Sequence, residues 1–343
     1  MDHVLELGLD TFGDVTVTPD GASVPQPQVI RDVVEEGVLA DSVGVDFIGI
    51  GEHHRVDFAV TTPDVVLAAI AARTERIRLG SAVTVLSSDD PIRVFQRFAT
   101  LDAVSGGRAE VILGRGSFVE SFPLFGHDLA DYEQLFTEKL DLFTALLPEK
   151  PVTWSGRSRG PLEHQQVFPT TANGLRAWIG VGGSPESVVR AARYGLPLVI
   201  AIIGGAAERF APYADLYRRA LGELGHPELP IAVHSPGFVA DTDEEARELA
   251  WPHYEVMHNR IGGERGWGPT SRAAFEAQVG PQGAMYVGAP ETVARKIAGT
   301  ARLLGLSRFD LKYSMGTLPH PQLMRCIELY GTTVIPLVRD MLT

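Results

Sequence analysis

The chain has 343 residues, 45% of them hydrophobic, and a formal charge of −13 from 30 Lys+Arg against 43 Asp+Glu. An acidic balance without a basic block repels phosphate backbones and anionic lipid, so no nucleic-acid or membrane-surface partner is expected. Cys326 is the single cysteine, which excludes an intrachain disulfide and a thiolate metal cluster.

Residues 1–6 have neither the basic start nor the long apolar core of a signal peptide. The longest nearly apolar run, 196–203, is far shorter than a membrane-spanning helix requires. A soluble, cytoplasmic protein is expected. Strands are predicted at 4–9, 47–50, 77–85, 110–113, 177–181, 198–203, 231–239 and 309–313. Their hydrophobicity is continuous rather than alternating, the pattern of parallel strands covered on both faces.

Helices are predicted between the strands. Residues 28–43 carry Ile30, Val33, Val34, Val38 and Leu39 at helical spacing, and Gly44 supplies a stop. Asp90-Pro91 places a capping residue before a proline at the first helical position, opening a helix that Ser105-Gly106-Gly107 ends. Further helices are predicted at 63–72, 131–147, 185–194, 207–224, 290–304 and 320–339, with Cys326 as a buried helix thiol in the last. Eight βα units without an internal repeat predict one α/β domain spanning 1–343, a (β/α)8 TIM barrel, ahead of a doubly wound open sheet. Two stretches exceed a minimal barrel, 148–175 and 241–289, and both are expected over the C-terminal mouth, where loops carry function.

The residues after each strand are where a barrel places its chemistry. Strand two leads into Glu52-His53-His54-Arg55. Successive side chains on an extended segment face opposite ways, which weakens a metal reading of the two histidines; no metal is expected. Strand three runs through Ser81, Ala82 and Val83, and the small residues at 81–82 suit either a flat ring lying on the backbone or a tight core. Asp89 and Asp90 read as helix caps. In Gly114-Arg115-Gly116-Ser117, an arginine between glycines at a strand end needs an anionic partner, either a ligand phosphate or a protein carboxylate. In Gly182-Gly183-Ser184-Pro185-Glu186-Ser187, amides and hydroxyls gather at a helix start, which serves either as a simple cap or as an anion site. Two such elements from distant parts of the chain predict a phosphate-bearing cofactor.

With these motifs the chain resembles the bacterial-luciferase-like flavin monooxygenases over nearly its whole length. The resemblance rests on Gly51-Glu52-His53-His54, on 81–93 with Pro91, and on Ser105-Gly106-Gly107-Arg108 followed by Gly114-Arg115-Gly116 and Phe125-Gly126. It also rests on Gly183-Ser184-Pro185-Glu186-Ser187 through Gly195-Leu196-Pro197. The whole is closest to a branch known as probable oxidoreductases. The resemblance implies a barrel enzyme that uses reduced FMN and O2 to oxygenate a small organic substrate, with the flavin supplied by a separate reductase.

It also implies Arg115, Ser184 and Ser187 on the flavin phosphate, with Gly116, Ser117, Gly182 and Gly183 around them. Ser81, Ala82 and Val83 fall under the ring, with a non-proline cis bond between Ala82 and Val83. His53 matches a histidine the luciferases need and is the expected catalytic acid/base. A homodimer is expected through helices two and three, with Val94 and Leu101 extending the apolar surface of the latter. Ser117 and Arg55 stand where the light-emitting enzymes have apolar residues, so no aldehyde substrate carries over. An F420-dependent hydride-transfer enzyme of the same fold and a non-catalytic flavin-binding protein are the alternatives. The 241–289 insertion, with its segment Arg260 to Trp267, is the expected lid.

Overall fold

The computed structural model describes residues 4–343; the first three residues of the segment read above for a signal peptide lie outside that range. Eight parallel strands form the barrel: β1 (Glu6–Thr11), β2 (Phe47–Ile50), β3 (Arg78–Ser81), β4 (Ala109–Gly114), β5 (Arg176–Val181), β6 (Leu198–Ala201), β7 (Ile231–Val239) and β8 (Arg308–Lys312). Each pairs with the next, and β8 closes on β1 through Glu6↔Arg308 to Asp10↔Lys312. One helix follows each strand: α1 (Gln26–Ser42), α2 (Pro63–Ala71), α3 (Pro91–Ser105), α4 (Tyr132–Leu146), α5 (Pro185–Arg193), α6 (Ala211–Glu223), α7 (Pro290–Leu304) and α8 (His320–Leu329). The barrel is thus the predicted (β/α)8 architecture.

The sequence pattern explains the closure. Outward residues such as Leu7, Leu9, Ile48, Ile50, Leu79, Val111 and Leu113 are buried in the main core between strands and helices. Their inward neighbours form a second, smaller cluster of Phe47, Ile112, Trp178, Val199 and Ala232. Both faces are therefore covered, which is why the strands read as continuous apolar runs. Below this cluster, at the N-terminal ends of the strands, charged side chains plug the barrel. Arg308 is fully buried, donates from Nε to Asp310 (3.0 Å) and pairs with Glu110. Its guanidinium lies over Phe47 and Trp178, and the Trp178 indole donates to Glu110 at 2.9 Å.

Capping follows the predicted chemistry. Asp90 accepts from the N–H groups of Ile92 (2.9 Å) and Arg93 (3.2 Å), and α3 ends on Gly106 in the left-handed region. Asp89 accepts from the Asp90 N–H and pairs with Arg97.

Several expectations need correction. Predicted strand 77–85 is interrupted after Ser81, the Ala82–Val83 bond is cis, and Thr84–Val85 pairs separately with β4. The 148–175 insertion joins the end of α4 to the start of β5 and lies on the outside of the barrel rather than over the mouth, with Arg159 reaching Asp90 at the start of α3. Its hairpin (Val152–Trp154 with Leu162–Gln165) packs along the outside of α3 and α4 through Trp154–Asp141, Arg157–Glu138 and Gln96–Phe168 contacts. The 241–289 insertion follows β7 and does reach the mouth, with helices Asp243–Arg265 and Arg272–Val279. Val94, Phe95, Phe98 and Leu101 are all buried within the chain, so none of them is free to form a dimer face.

No helix among the described residues is long and apolar enough to cross a membrane. Cys326 is buried, accepts the Val239 N–H at 3.2 Å, and burial pushes its thiol up to about 12. Native protein at pH 8 is therefore expected to show no reaction with a disulfide reagent until denaturant is added; stoichiometric labelling of the native fold would contradict this burial.

Candidate active site

The floor of the mouth is built from inward-facing residues at the C-terminal ends of the strands. Period-two alternation places Gly49, Ala82, Gly114, Gly180 and Ala201 there on β2 to β6. These positions have no bulk to spare. A Cβ on Gly114 would sit 2.5 Å from the Val83 side chain, and one on Gly49 would sit 2.8 Å from the Ala82 Cβ. A ledge of backbone and small side chains results, centred on Ala82–Val83. Ser81 sits beneath it, fully buried. Its hydroxyl contacts the Ile112 carbonyl (3.2 Å), the Ile112 N–H (3.3 Å) and Thr84 (2.9 Å), so its role is to fix the turn rather than to face a ligand.

Beside the ledge the two glycine-bearing loops converge. Arg115 leaves the end of β4 and donates from Nη2 to the Ser187 hydroxyl at 3.2 Å, across 72 residues of chain. Ser184 caps α5 through the Ser187 N–H and lies 2.9 Å from the Ser187 hydroxyl. Gly116 (φ 78°) and Gly183 (φ 95°) adopt the left-handed backbone that both turns need. Tyr132 supports the first loop by donating to the Gly116 carbonyl at 2.7 Å, and its ring lies under the Arg115 guanidinium. Sequence reading missed two members of this group. Arg190 lies one turn beyond Ser187 on α5, and Glu133 bridges Arg190 (2.9 Å) and Arg115 with its exposed carboxylate. The anionic partner anticipated for Arg115 is, in this arrangement, a protein carboxylate. The i, i+3 spacing of Ser187 and Arg190 was the available signal.

The loop that carries Arg115 also carries Phe118, which meets His53 edge-on at 5.1 Å. His53 is packed among Phe12 (4.5 Å), Phe58 (4.6 Å) and Phe118. His54 turns the other way, onto Glu52 (2.9 Å) and Phe125. Glu52 in turn accepts the Val85 N–H at 2.9 Å, tying this strand end to the ledge. No group of three metal-ligating side chains occurs among the described residues. Burial, reinforced by the Lys312, Arg55 and His54 charges, holds His53 down at about 3. It is a neutral imidazole at physiological pH, fit to accept or donate a hydrogen bond but not to serve as a standing imidazolium.

The second insertion closes on the same place. Glu264, at the end of its long helix, receives both terminal nitrogens of Arg55 at 2.8 Å, and Arg55 also pairs with Asp57 and Glu120. Arg265 donates to the Ser117 carbonyl at 3.1 Å. The Arg55 and Arg265 guanidiniums both lie over the Phe118 ring.

The remaining inward positions are polar. Asp10 on β1, His234 on β7 and Lys312 on β8 complete the ring of the mouth opposite the ledge. Asp10 is fully buried and contacts His234 Nδ1 at 2.7 Å. Lys312 Nζ is held by both carboxylate oxygens of Asp14, at 2.8 and 2.9 Å. None of these was singled out in the sequence, because isolated polar residues inside apolar strands carry no motif.

Residues 11–308 match the family description luciferase-like monooxygenase. The alkanal monooxygenase alpha chain of the Kryptophanaron alfredi symbiont is 27% identical over 240 residues, covering 69% of this chain and 66% of that one. This chain thus spans just under two thirds of that relative's length. Monooxygenase RslO1 from Streptomyces bottropensis superposes with a TM-score of 0.84 at 23% identity, covering 97% of this chain and 99% of that chain. The oxygenating constituent of 3,6-diketocamphane monooxygenase from Pseudomonas putida, in complex with FMN, gives 0.77 at 19% identity, covering 97% and 98%. An F420-dependent secondary alcohol dehydrogenase gives 0.75 at 17% identity, covering 98% and 99%. At these identities the structural likenesses establish the fold.

Proposed function

Because the chain belongs to the luciferase-like monooxygenase family, we propose that it is an FMN-dependent monooxygenase that takes reduced flavin from a separate reductase and oxygenates a small organic substrate. The carrying observation is the convergence of Arg115, Arg190, Ser184 and Ser187 beside a ledge of glycine and alanine. The fit is chemical as well as spatial. Two guanidiniums, two hydroxyls and a helix start match the donor needs of a phosphate monoester. The ledge offers a planar ring a backbone surface with no side chain standing in its way.

Bound there, reduced FMN would supply the electrons and the reaction with O2. The chain's own residues do the rest. Arg115, Arg190 and the two serines anchor the phosphate, and Ala82–Val83 supports the ring. Phe12, Phe58, Phe118 and neutral His53 form an apolar end that orients the substrate. Glu264 and Arg265 hold the insertion over that end and limit access of water. His53 in this state is a hydrogen-bond partner or a proton acceptor.

Glu133 stands where the phosphate's charge is needed and must yield to it. Glu133→Gln is therefore expected to tighten FMN and inorganic phosphate several-fold, corresponding to about 1 kcal/mol for a half-exposed ion pair. Unchanged or weaker binding in titration calorimetry would show that Glu133 does not compete.

Oxygen uptake with reduced FMN across a substrate panel tests the proposal: substrate-dependent uptake supports it, and flavin binding without turnover favours a simple flavin carrier. The F420-dependent structural neighbour motivates a deazaflavin reading of the same cradle. Absorbance titration with each cofactor separates the two.

A further inference from the structure

The mouth holds two imidazoles whose surroundings push them in opposite directions. His53 lies among three aromatic rings near the Lys312 and Arg55 charges, and burial keeps it neutral. His234 is mostly withdrawn from solvent, with 14% of its side chain exposed, but the Asp10 carboxylate bound to it outweighs the cost of that withdrawal and raises its affinity for a proton. The two rings are linked through Phe12, which stacks on His234 at 6.0 Å and meets His53 edge-on at 4.5 Å. Titratable groups driven apart within one site are how a protein presents an acid and a base together at one pH.

The geometry around His234 is that of a donor aimed upward. Its position on β7 is one inward step above Ala232, which belongs to the cluster filling the barrel, so the open side of the ring is the mouth. Nδ1 is committed to Asp10, which fixes the tautomer and leaves Nε2 as the transferable site. Nε2 makes no hydrogen bond among the described residues, yet it is not an enclosed orphan. The charged groups facing His234 are Asp10 from β1 and Asp310 and Lys312 from β8; its neighbour on β6, Ala201, has none. The Asp14 carboxylate on Lys312 offsets that lysine's repulsion. Asp10 Oδ2 has His234 as its one hydrogen-bond partner among the described residues, and Oδ1 has none.

We propose that His234, oriented by Asp10, is the proton donor of this site and delivers the Nε2 proton to an oxyanion formed on the molecule held over the ledge. The N–H bond breaks, an O–H bond forms, and a neutral imidazole remains, still hydrogen-bonded to Asp10 through Nδ1. Solvent reaching the open edge of the ring restores the proton. His234 is then a catalytic residue and Asp10 a positioning residue. The inference rests on the reading above only in requiring that a reacting molecule occupy the mouth.

Histidine NMR of the cofactor-free protein between pH 5 and 10 is the first test. His234 is expected to stay protonated to higher pH than free imidazole, and His53 to remain neutral throughout. Asp10→Asn should move the His234 titration to lower pH and leave His53 unmoved. A His234 that titrates at or below the free value overturns the proposal, and the wild-type titration decides this even if the Asp10 variant fails to fold.

Oxygen uptake with reduced FMN is the second test. His234→Asn should slow it roughly 100-fold with FMN affinity retained. The protonated form is the active one, so the rate falls as pH rises through the imidazolium range, and Asp10→Asn should bring that fall to lower pH. Wild-type-like uptake in His234→Asn overturns the assignment. Failure of the wild type to bind FMN would instead overturn the cofactor reading, while the NMR titration still decides the His234–Asp10 pair.

Discussion

Arg115→Ala is expected to weaken FMN binding on the order of 100-fold, about 2–3 kcal/mol for charge-assisted hydrogen bonds to a phosphate. Riboflavin, which has the same ring without the phosphate, should bind wild type and variant alike. That contrast isolates the phosphate contact from any disturbance of the ledge. Arg115 is held in the cradle by Ser187 and Glu133, and its loop is independently supported by Tyr132. Loss of the guanidinium therefore removes a ligand without removing the loop. Ser187→Ala should cost less, about 1 kcal/mol, because a neutral hydroxyl is lost. Equal weakening of FMN and riboflavin by Arg115→Ala would mean that the arginine shapes the pocket and does not read the phosphate.

The second large effect is on stability. Arg308→Met should destabilise the fold by about 3–5 kcal/mol, the range for removing one partner of a buried ion pair. The reason is what it leaves behind. Glu110 is fully buried, with the Trp178 indole as its neutral donor and Arg176 at 3.3 Å as its nearest other cation. Asp310 would lose its guanidinium outright, and burial already pushes its carboxyl up to about 7. Methionine fills space against Phe47 and Trp178 but satisfies neither carboxylate. Adding Glu110→Gln to the variant should recover part of the loss, because the uncompensated charge is then gone. Denaturant unfolding of both proteins checks this. A single variant as stable as wild type would mean that water or Arg176 replaces Arg308 without cost.

The barrel was legible because its signals are local and repeated: apolar runs of strand length, Asp90-Pro91 opening α3, and Gly44 and Gly106 closing helices. The phosphate cradle was half legible. Arg115, Ser184 and Ser187 lie in turns whose glycines announce them, whereas Glu133 and Arg190 lie on helix surfaces where a charged residue is unremarkable. The polar wall of Asp10, His234 and Lys312 was not legible at all. Each is one inward position on a separate strand, and only barrel closure brings them together. The 148–175 insertion was expected over the mouth because its composition marks a loop but not a side, whereas it lies along the outside of α3 and α4. Its contacts with Asp141, Glu138 and Gln96 decide that.

The most direct measurement is a crystal structure of the protein soaked with FMN. The account predicts the phosphate within hydrogen-bond reach of Arg115, Ser184 and Ser187, the Glu133 carboxylate turned away, and the ring lying on Ala82–Val83. A phosphate bound elsewhere, beyond the ends of β7 and β8, with Glu133 still bridging Arg115 and Arg190, would contradict it.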